Sequence, residues 1–239
     1  MSHRREQVER LGRIRQFVFG AQDGLLSTLG VVTGVSGAVT GVSATTSHFA
    51  VLVAGCAEAV AGMVAMAAGE YISSRSQAQV YQAEIESERE ELHRDPEGER
   101  EEIQVLFRQE GLSPEDATVV ARLVTTSEES WLKTMTEKEL GLAATDASGA
   151  ITGAFIIGAA FLLGAVVTIL PYLFLSGAKA VLSSVAVTLL ALAAIGAGKA
   201  KLAKIGPLRS AAEVVAIGSV AAVIGYLFGT LLPHIFHVT

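Results

Sequence analysis

Five apolar stretches restrict how this chain can fold more than any other feature of its sequence. They cover residues 17–41, 47–70, 148–174, 178–198 and 211–232. Each has roughly the 20 residues that an α-helix needs to cross the hydrocarbon core of a bilayer, which is about 30 Å thick. The whole chain is 51% hydrophobic with only 6% aromatic residues, a composition that is rare among soluble domains. The sequence therefore predicts an all-α membrane protein with five transmembrane helices.

An acidic segment separates the second apolar stretch from the third. Residues 71–146 contain 18 acidic and 8 basic side chains, a net charge of −10. Such a segment repels nucleic acid and attracts cations, and we expect it to form a separate helical domain. The predicted organisation is an N-terminal segment (residues 1–16), helices 1 and 2 (17–70), the acidic domain (71–146) and helices 3 to 5 (147–239).

Turn and capping residues divide the acidic segment into helices. Asp95-Pro96-Glu97-Gly98 indicates a turn, Gly111 a helix end, and Ser113-Pro114 a helix start. We predict that helix 2 continues to about residue 92 and that further helices follow at 98–110, 114–126 and 128–140. A domain of about seventy residues buries little apolar surface by itself, so we expect it to pack against a second copy of the chain in a homodimer.

Positive charges beside the short loops predict the orientation of the chain. They are concentrated before helix 1 and between helices 4 and 5, at Arg4, Arg5, Arg10, Arg13, Arg15, Lys199, Lys201, Lys204 and Arg209. Because such residues favour the cytoplasmic side, we expect the N-terminus and the acidic domain in the cytoplasm and the C-terminus outside. Nothing resembles a cleavable signal, and the compact length suits a prokaryotic inner membrane, with a vacuolar membrane as the alternative.

Helix 1 carries glycines at three- and four-residue spacing, at Gly30, Gly34, Gly37 and Gly41. Small residues at this period let two helix backbones approach closely in lipid. Helix packing is the simpler interpretation, and a glycine backbone that lines a path or a dimer axis is compatible with it.

Acidic residues inside the apolar stretches are the first candidates for function. Asp23 lies near the start of helix 1, and Glu58 lies about 16 Å along helix 2 from Ser47, near the middle of the bilayer. A charged side chain in lipid costs at least about 2.5 kcal/mol, so such residues usually face a path or a partner. Glu213 is close to Arg209 at the start of helix 5 and is interpreted as an interfacial charge.

Helix 2 has a polar stripe that runs from the middle of the bilayer to its cytoplasmic end. At steps of three or four residues it holds Glu58, Gly62, Met66, Glu70, Ser73 or Ser74, and Gln77. Carboxylates can bind a divalent cation or carry protons, and a thioether adds a soft ligand that Fe²⁺ accepts. We interpret the stripe as an ion path, although Met66 taken by itself is more typical of a packed core.

The acidic domain has carboxylates at the spacing of metal ligands. Two residues that are three or four positions apart project from the same face of a helix. The pairs with this spacing are Glu88 with Glu91, Glu99 with Glu102, and Met135 with Glu139. Spacing alone leaves two interpretations open, a metal site and a solvated helix surface.

Other chemistry has little support in the sequence. There is no phosphate-binding loop, dinucleotide fingerprint or nucleophile elbow, so an ATP-driven pump is not expected. With a single cysteine, Cys56, neither a disulfide nor a cysteine zinc site can form within one chain. We therefore expect no enzyme activity, no prosthetic group and no nucleic-acid partner.

Two motifs and the insert give the chain a resemblance to the vacuolar iron transporter family, which includes the nodulin-21-like proteins. The first motif is Asp-Gly-Leu-x-Ser-Thr in helix 1, here residues 23–28. The second is Met-x-x-Gly-Glu-Tyr-x-Ser at the end of helix 2, here residues 66–73. With the acidic insert and three further helices, the resemblance covers nearly the whole chain.

The resemblance implies a dimeric exchanger that moves Fe²⁺, and in many members Mn²⁺, out of the cytosol in return for protons. It implies intramembrane sites at Asp23, Glu58 and Met66. It also implies that the insert binds metal through Glu88, Glu91, Glu99, Glu102, Met135 and Glu139. The family has a second methionine where this chain has Thr136, so the insert offers one soft ligand fewer.

The expected function is thus a proton-coupled exporter of divalent transition metal, with Glu70 and Met66 receiving the ion at the inner mouth of the path. Fe²⁺ is the principal expected substrate, and Mn²⁺, Co²⁺ and Zn²⁺ accept the same ligands. The alternative is a membrane-anchored metal sensor or storage scaffold without transport. A pure anchor has no need for Asp23 and Glu58 inside the bilayer, which favours transport.

Overall fold

Helices account for nearly all of the described chain. A computed structural model describes residues 2–138 and 149–235, and within these residues the regular structure consists of eight α-helices without a β-strand. They are α1 (Ser2–Ala38), α2 (Ala44–Arg94), α3 (Pro96–Gln109), α4 (Pro114–Val124), α5 (Glu128–Lys138), α6 (Gly149–Phe174), α7 (Gly177–Ala203) and α8 (Pro207–Ile235).

The chain divides into two compact units. The first, called the membrane unit, consists of residues 1–71 and 151–239, and the second, called the insert unit, consists of residues 72–150. Five helices are long and apolar enough to cross a bilayer, namely α1, α2, α6, α7 and α8. Over the part of the chain that the structure describes, the prediction of an all-helical fold with five helices able to cross a membrane is therefore confirmed.

The end of the first transmembrane helix differs from the prediction. The apolar stretch continues to Gly41, but α1 ends at Ala38. Gly41 has a φ of 95°, a left-handed conformation that glycine adopts readily and that other residues adopt with strain. The chain turns here before α2 begins, so Gly41 belongs to a turn rather than to the helix.

Contacts within the membrane unit show that α1, α6 and α8 run in the same direction. Residues that follow one another along α1 contact residues that follow one another in the same order along α6 and α8. The contacting pairs are Gly20 with Ile157, Gly24 with Phe161, Gly30 with Gly225, and Gly34 with Gly229.

The other two spanning helices run the opposite way. Along α2 and α7 the order of the contacts is reversed relative to their neighbours. The contacting pairs are Gln16 with Glu70, Val32 with Gly55, Gly196 with Ala211, and Leu192 with Gly218. The five helices thus alternate in direction, as five consecutive crossings of a membrane require.

Glycines bring α1 and α8 into backbone contact. A Cβ atom at Gly225 would lie 2.6 Å from the carbonyl oxygen of Gly30, and one at Gly229 would overlap the carbonyl oxygen of Gly34. Close approach of this kind is how small residues stabilise helix pairs in lipid, where van der Waals packing replaces the hydrophobic effect. The predicted packing role is therefore confirmed for Gly34 and Gly37, where a Cβ atom would lie 3.2 Å from the carbonyl oxygen of Gly225 and 2.8 Å from that of Tyr226, whereas a Cβ atom at Gly30 would meet nothing within 4 Å.

Hydroxyl groups connect α6 to α7 in the interior of the membrane unit. Thr188 Oγ1 donates a hydrogen bond to Thr168 Oγ1 at 3.1 Å, and Ser184 Oγ donates to the carbonyl oxygen of Thr168 at 2.7 Å. All three side chains are fully buried. Hydrogen bonds between membrane helices contribute about 0.6 kcal/mol each on average and at most about 1.7 kcal/mol.

Replacing Thr188 with valine should therefore destabilise the membrane unit modestly. Valine keeps the shape of the side chain and removes one interhelical hydrogen bond, so the free energy of unfolding in detergent should fall by about 0.6–1.7 kcal/mol. Ser219→Ala is a matched control, since Ser219 Oγ donates to the carbonyl oxygen of Val215 within its own helix. An effect of Thr188→Val no larger than that of the control would contradict the prediction.

The insert unit is built from α3, α4 and α5 together with the second half of α2. The backbone N–H of Gly98 donates to Asp95 Oδ1 at 3.0 Å, and that of Asp116 donates to Ser113 Oγ at 3.1 Å. These caps satisfy backbone groups at the helix starts, where a proline occupies the first turn. The predicted cap at Ser113 is therefore confirmed, whereas Asp95, predicted as part of a turn, caps a helix that begins at Pro96, two residues before the predicted start. The described ends of α2, α3 and α4 lie within two residues of the predicted ones, and the predicted end of the last insert helix, at residue 140, lies outside the described residues.

A small hydrophobic core holds the insert unit together. Its buried members are Leu92, Ile103, Ala121, Trp131, Leu132 and Met135. The guanidinium carbon of Arg100 lies 5.7 Å from the centroid of the Trp131 ring, and such a cation–π contact adds stability where the core meets solvent. The core is small, as expected for a domain of this length.

Candidate metal path and insert site

Asp23 of α1 and Glu58 of α2 approach each other inside the membrane unit. Their carboxyl groups are close enough to repel one another electrostatically, and the chain buries both side chains only in part. Two negative charges within electrostatic range of each other in a medium of low dielectric constant are unfavourable unless a proton or a cation compensates them. The pair is therefore suited to binding a proton or a divalent cation.

Phe161 of α6 lies between the two helices that carry these carboxylates. A Cβ atom at Gly24, the residue after Asp23, would overlap the carbonyl oxygen of Phe161, and one at Gly62 would overlap its ring. The Phe161 side chain is 1% exposed. Because its backbone touches α1 and its ring touches α2, Phe161 sets the spacing between the two carboxylate-bearing helices.

Met66 packs on the side of α2 that faces α6. It contacts a buried cluster formed by Ala59, Phe161, Ala165 and Ile169. Gly62, another member of the predicted polar stripe, lies over the same phenylalanine ring. The middle of the stripe is therefore apolar in this structure, and a thioether ligand at Met66 stays a prediction.

Glu70 lies at the far end of the stripe, roughly 18 Å from Glu58 along α2. Its Oε1 accepts a hydrogen bond of 2.7 Å from Gln16 Nε2 of α1. Ligand atoms lie only about 2.0–2.6 Å from a bound divalent metal, so one ion cannot bind Glu58 and Glu70 of the same chain together. The two residues belong to separate positions along the path.

Gln16 is a site residue that sequence reasoning missed. It is a neutral amide at the edge of a charged N-terminal segment, and no motif or periodicity distinguishes it there. Its partner is 54 positions away. Only the folded arrangement of α1 beside α2 identifies it.

The insert unit brings the four predicted glutamates together around Glu99. Glu88 of α2 and Glu99 of α3 are both buried and share a hydrogen bond between their side chains. Glu91 and Glu102 lie within electrostatic range of Glu99. Glu99 Oε2 is buried and has no hydrogen-bond partner among the described residues, and a cation bound there would satisfy this acceptor.

No closed set of ligands surrounds a point in the described structure. Within residues 2–138 and 149–235, no group of three or more His, Cys, Asp and Glu side chains is placed closely enough to hold a metal ion. The insert glutamates lie near one another without the geometry of a complete coordination sphere.

Burial raises the pKa of Glu99, and the negative charges of Glu102 and Glu91 raise it further, whereas the hydrogen bond with Glu88 lowers it. A raised pKa means that the folded chain holds this proton more firmly than the unfolded chain does. Glu99 therefore favours the folded state at low pH, and that contribution is lost as the pH rises through its folded pKa. At neutral pH the metal-free insert carries a charge that a cation would compensate.

Glu99→Gln should therefore weaken metal binding without lowering the stability of the metal-free protein. The metal-free variant should unfold at the same temperature as the wild type or higher at pH 7.5, because the repulsion among carboxylates falls. Added Mn²⁺ should raise the unfolding temperature of the variant less than that of the wild type, since a ligand that binds only the folded state stabilises it.

Thermal unfolding of the full chain in detergent, with and without Mn²⁺, measures both effects. The matched control is Glu101→Gln, since Glu101 is exposed on the same helix. The prediction would be contradicted if the metal-free Glu99→Gln protein unfolded at a lower temperature than the wild type, or if Mn²⁺ raised the unfolding temperature of both proteins equally. Either result would show that Glu99 is not a metal ligand destabilised by the neighbouring carboxylates.

The last predicted pair of the insert is only partly described. Met135 is fully buried in the hydrophobic core of the insert unit. Thr136 Oγ1 donates to the carbonyl oxygen of Leu132 at 2.6 Å, so its hydroxyl group is engaged within its own helix. Glu139 lies outside the described residues, and metal binding by Met135 and Glu139 stays a prediction.

Comparison with known proteins agrees with the resemblance noted in the sequence. Residues 14–230 match the VIT family. The chain is 33% identical to vacuolar iron transporter 1 of Arabidopsis thaliana over 236 residues, which cover 98% of this chain and 92% of that protein. It is 36% identical to vacuolar iron transporter 1 of Oryza sativa subsp. japonica over 214 residues, 89% of this chain and 82% of that protein. The matched region includes both structural units, and the chain belongs to the VIT family.

Proposed function

We propose that this chain is a proton-coupled exporter of divalent transition metal, with Fe²⁺ as its principal substrate and Mn²⁺ as a second. The relatives named as vacuolar iron transporters support iron as the substrate. As a member of their family the chain is a transporter and not an enzyme. The carboxylates of the chain support exchange for protons, and the resemblance to the family supports movement out of the cytosol.

The proximity of Asp23 and Glu58 is the observation that carries the proposal. A single charged side chain inside a bilayer is expensive, and here two of the same sign lie within electrostatic range of each other. A chain that merely anchored the insert would gain nothing from this arrangement. A chain that passes cations between its carboxylates requires it.

Competition between protons and metal ions for the carboxylates of Asp23 and Glu58 couples the movement of one ion to that of the other. A carboxyl group must lose its proton to bind a metal, so metal binding releases protons. Protons that arrive from the more acidic side displace the metal there. A site that holds either ion, but not both at once, gives exchange without a further source of energy.

The path lies between two copies of the chain in this proposal. Of the five spanning helices, α2 is the least buried. Beside Glu58 and Glu70 it exposes small residues at four-residue spacing, namely Ala57, Ala61, Ala65 and Gly69. Such a face allows another helix to pack closely in lipid. A second copy here would bring two sets of Asp23 and Glu58 around one axis.

The insert collects metal for transport in this proposal. Its net charge of −10 attracts divalent cations, and Glu99 with the three glutamates around it binds them, with Met135 and Glu139 as further ligands. Co²⁺ and Zn²⁺ are accepted by the same atoms. The insert and the N-terminus face the cytoplasm and the C-terminus faces outward, in a prokaryotic inner membrane.

Transport by the purified full chain in proteoliposomes tests the proposal. Fe²⁺ or Mn²⁺ added outside should enter and quench a dye inside, while a pH indicator reports protons leaving, without ATP. Metal entry without proton movement would overturn the coupling. Metal binding without entry would favour the alternative, a membrane-anchored sensor or storage scaffold.

A further inference from the structure

The hydrogen bond from Gln16 to Glu70 joins α1 to α2 at one end of the membrane unit. Its length of 2.7 Å is at the short end of the range for N–H···O bonds. Both side chains are half-buried. Glu70 is the residue expected to receive metal at the inner mouth, so the amide of Gln16 touches the first carboxylate of the path.

Gly153 of α6 closes the same junction from a third side. A Cβ atom at this position would lie 2.5 Å from Gln16 Nε2 and 3.2 Å from Glu70 Oε1. Gly153 does not have a positive φ, so the requirement for glycine is steric rather than conformational. A Cβ atom here would force the amide end of Gln16, and to a smaller extent the Glu70 carboxylate, to move from the positions described.

An amide is well suited to hold a carboxylate that must exchange ions. It donates to an ionised carboxylate, and its oxygen can accept from a protonated one, so the contact can persist in both states. It contributes no charge of its own and does not compete with an arriving cation. A carboxylate already held in place loses less conformational entropy when it binds the ion.

We propose that Gln16 is a positioning residue that orients Glu70 for metal entry, and that Gly153 is glycine because this pair occupies the space of its side chain. The inference rests on the proposed role of Glu70 in receiving metal. The simpler alternative is that Gln16 only fastens α1 to α2.

The Michaelis constant (KM) for Mn²⁺ uptake distinguishes a residue that positions Glu70 from one that only fastens α1 to α2. A contact that only fastens helices lowers the amount of folded protein and thus the maximal rate, but not the KM of the molecules that remain folded. A contact that orients the entry carboxylate changes the KM with little change in turnover. The measurement therefore remains informative even if a variant folds poorly.

The experiment compares Mn²⁺ uptake by the wild type, Gln16→Leu, Gly153→Ala, Glu70→Gln and the double variant Gln16→Leu/Glu70→Gln in proteoliposomes. We expect about a tenfold rise in KM for Gln16→Leu and for Gly153→Ala, the size that follows from losing a hydrogen bond to a charged group. The double variant should be no worse than Glu70→Gln. Gly198→Ala is the control, because a Cβ atom there meets nothing within 4 Å.

Each result decides between the possibilities. A raised KM for Glu70→Gln with an unchanged KM for Gln16→Leu would overturn the positioning role and leave the transport function intact. An unchanged KM for Glu70→Gln would overturn the inference together with the role of Glu70, while wild-type uptake would still support transport. Additive effects in the double variant would show that Gln16 acts independently of Glu70.

Discussion

Glu58→Gln should reduce metal-driven proton movement about 10- to 100-fold in proteoliposomes. Glutamine has nearly the same size and shape as glutamate but cannot ionise, so helix packing is preserved while the charge near Asp23 is lost. Interactions with charged groups contribute about 1.5–3 kcal/mol, which corresponds to about one to two orders of magnitude in affinity. Fluorescent reporters of internal Mn²⁺ and internal pH measure both ions in one sample.

Glu213→Gln is the matched control for this prediction. Glu213 is also an acid of a spanning helix, but it is exposed and paired with Arg209 at 3.3 Å one turn away. Exposed pairs contribute little, so the control should transport like the wild type. Proton-coupled transport that survived Glu58→Gln unchanged would refute the assignment of the path. Because Asp23 and Glu58 interact, the combined effect of Asp23→Asn and Glu58→Gln should be smaller than the sum of the two separate effects.

The second large effect is expected at Gly24, where Gly24→Ala should prevent α1 from packing against α6. The added Cβ would overlap the carbonyl oxygen of Phe161 and lie 2.8 Å from its carbonyl carbon and 3.0 Å from its Cα. These are backbone atoms, which cannot rotate away as a side chain can. Overpacking costs about 1–3 kcal/mol even where side chains can adjust, so we expect a loss at the upper end of that range or beyond.

The yield of monodisperse protein after detergent extraction, together with its unfolding temperature, measures this loss. Gly30→Ala on the same helix is the control, since a Cβ atom at Gly30 meets nothing within 4 Å. The control should be as stable as the wild type, because alanine favours helices over glycine by about 1 kcal/mol. If both variants were equally stable, the close contact between α1 and α6 would not exist in the membrane.

Local sequence patterns were sufficient for the secondary structure. Runs of apolar residues identified the five spanning helices, and the turn signal at Asp95 and the capping residue Ser113 indicated to within two residues where two helices of the insert begin. These signals act between neighbours along the chain, so they can be read without knowing the fold. The error at Gly41 arose because an apolar run does not reveal where a backbone adopts a left-handed turn.

The sequence identified only those site residues whose chemical type is unusual for their position in the chain. A carboxylate inside an apolar helix is conspicuous, and so Asp23, Glu58 and Glu70 could be identified individually. Whether two of them approach each other depends on how α1 packs against α2. Met66 illustrates the limit, since helical periodicity placed it on the polar stripe while packing against α6 gives it an apolar environment.

The sequence by itself determined the number of spanning helices, the acidic insert and the charged residues that a bilayer makes costly, because composition and spacing carry this information directly. Only the tertiary structure decided which of these residues meet. The proximity of Asp23 to Glu58, the gathering of the insert carboxylates around Glu99, and the contact of Gln16 with Glu70 beside Gly153 depend on distances between helices. Those distances are set by glycine contacts and by Phe161, which join residues that are far apart in the chain.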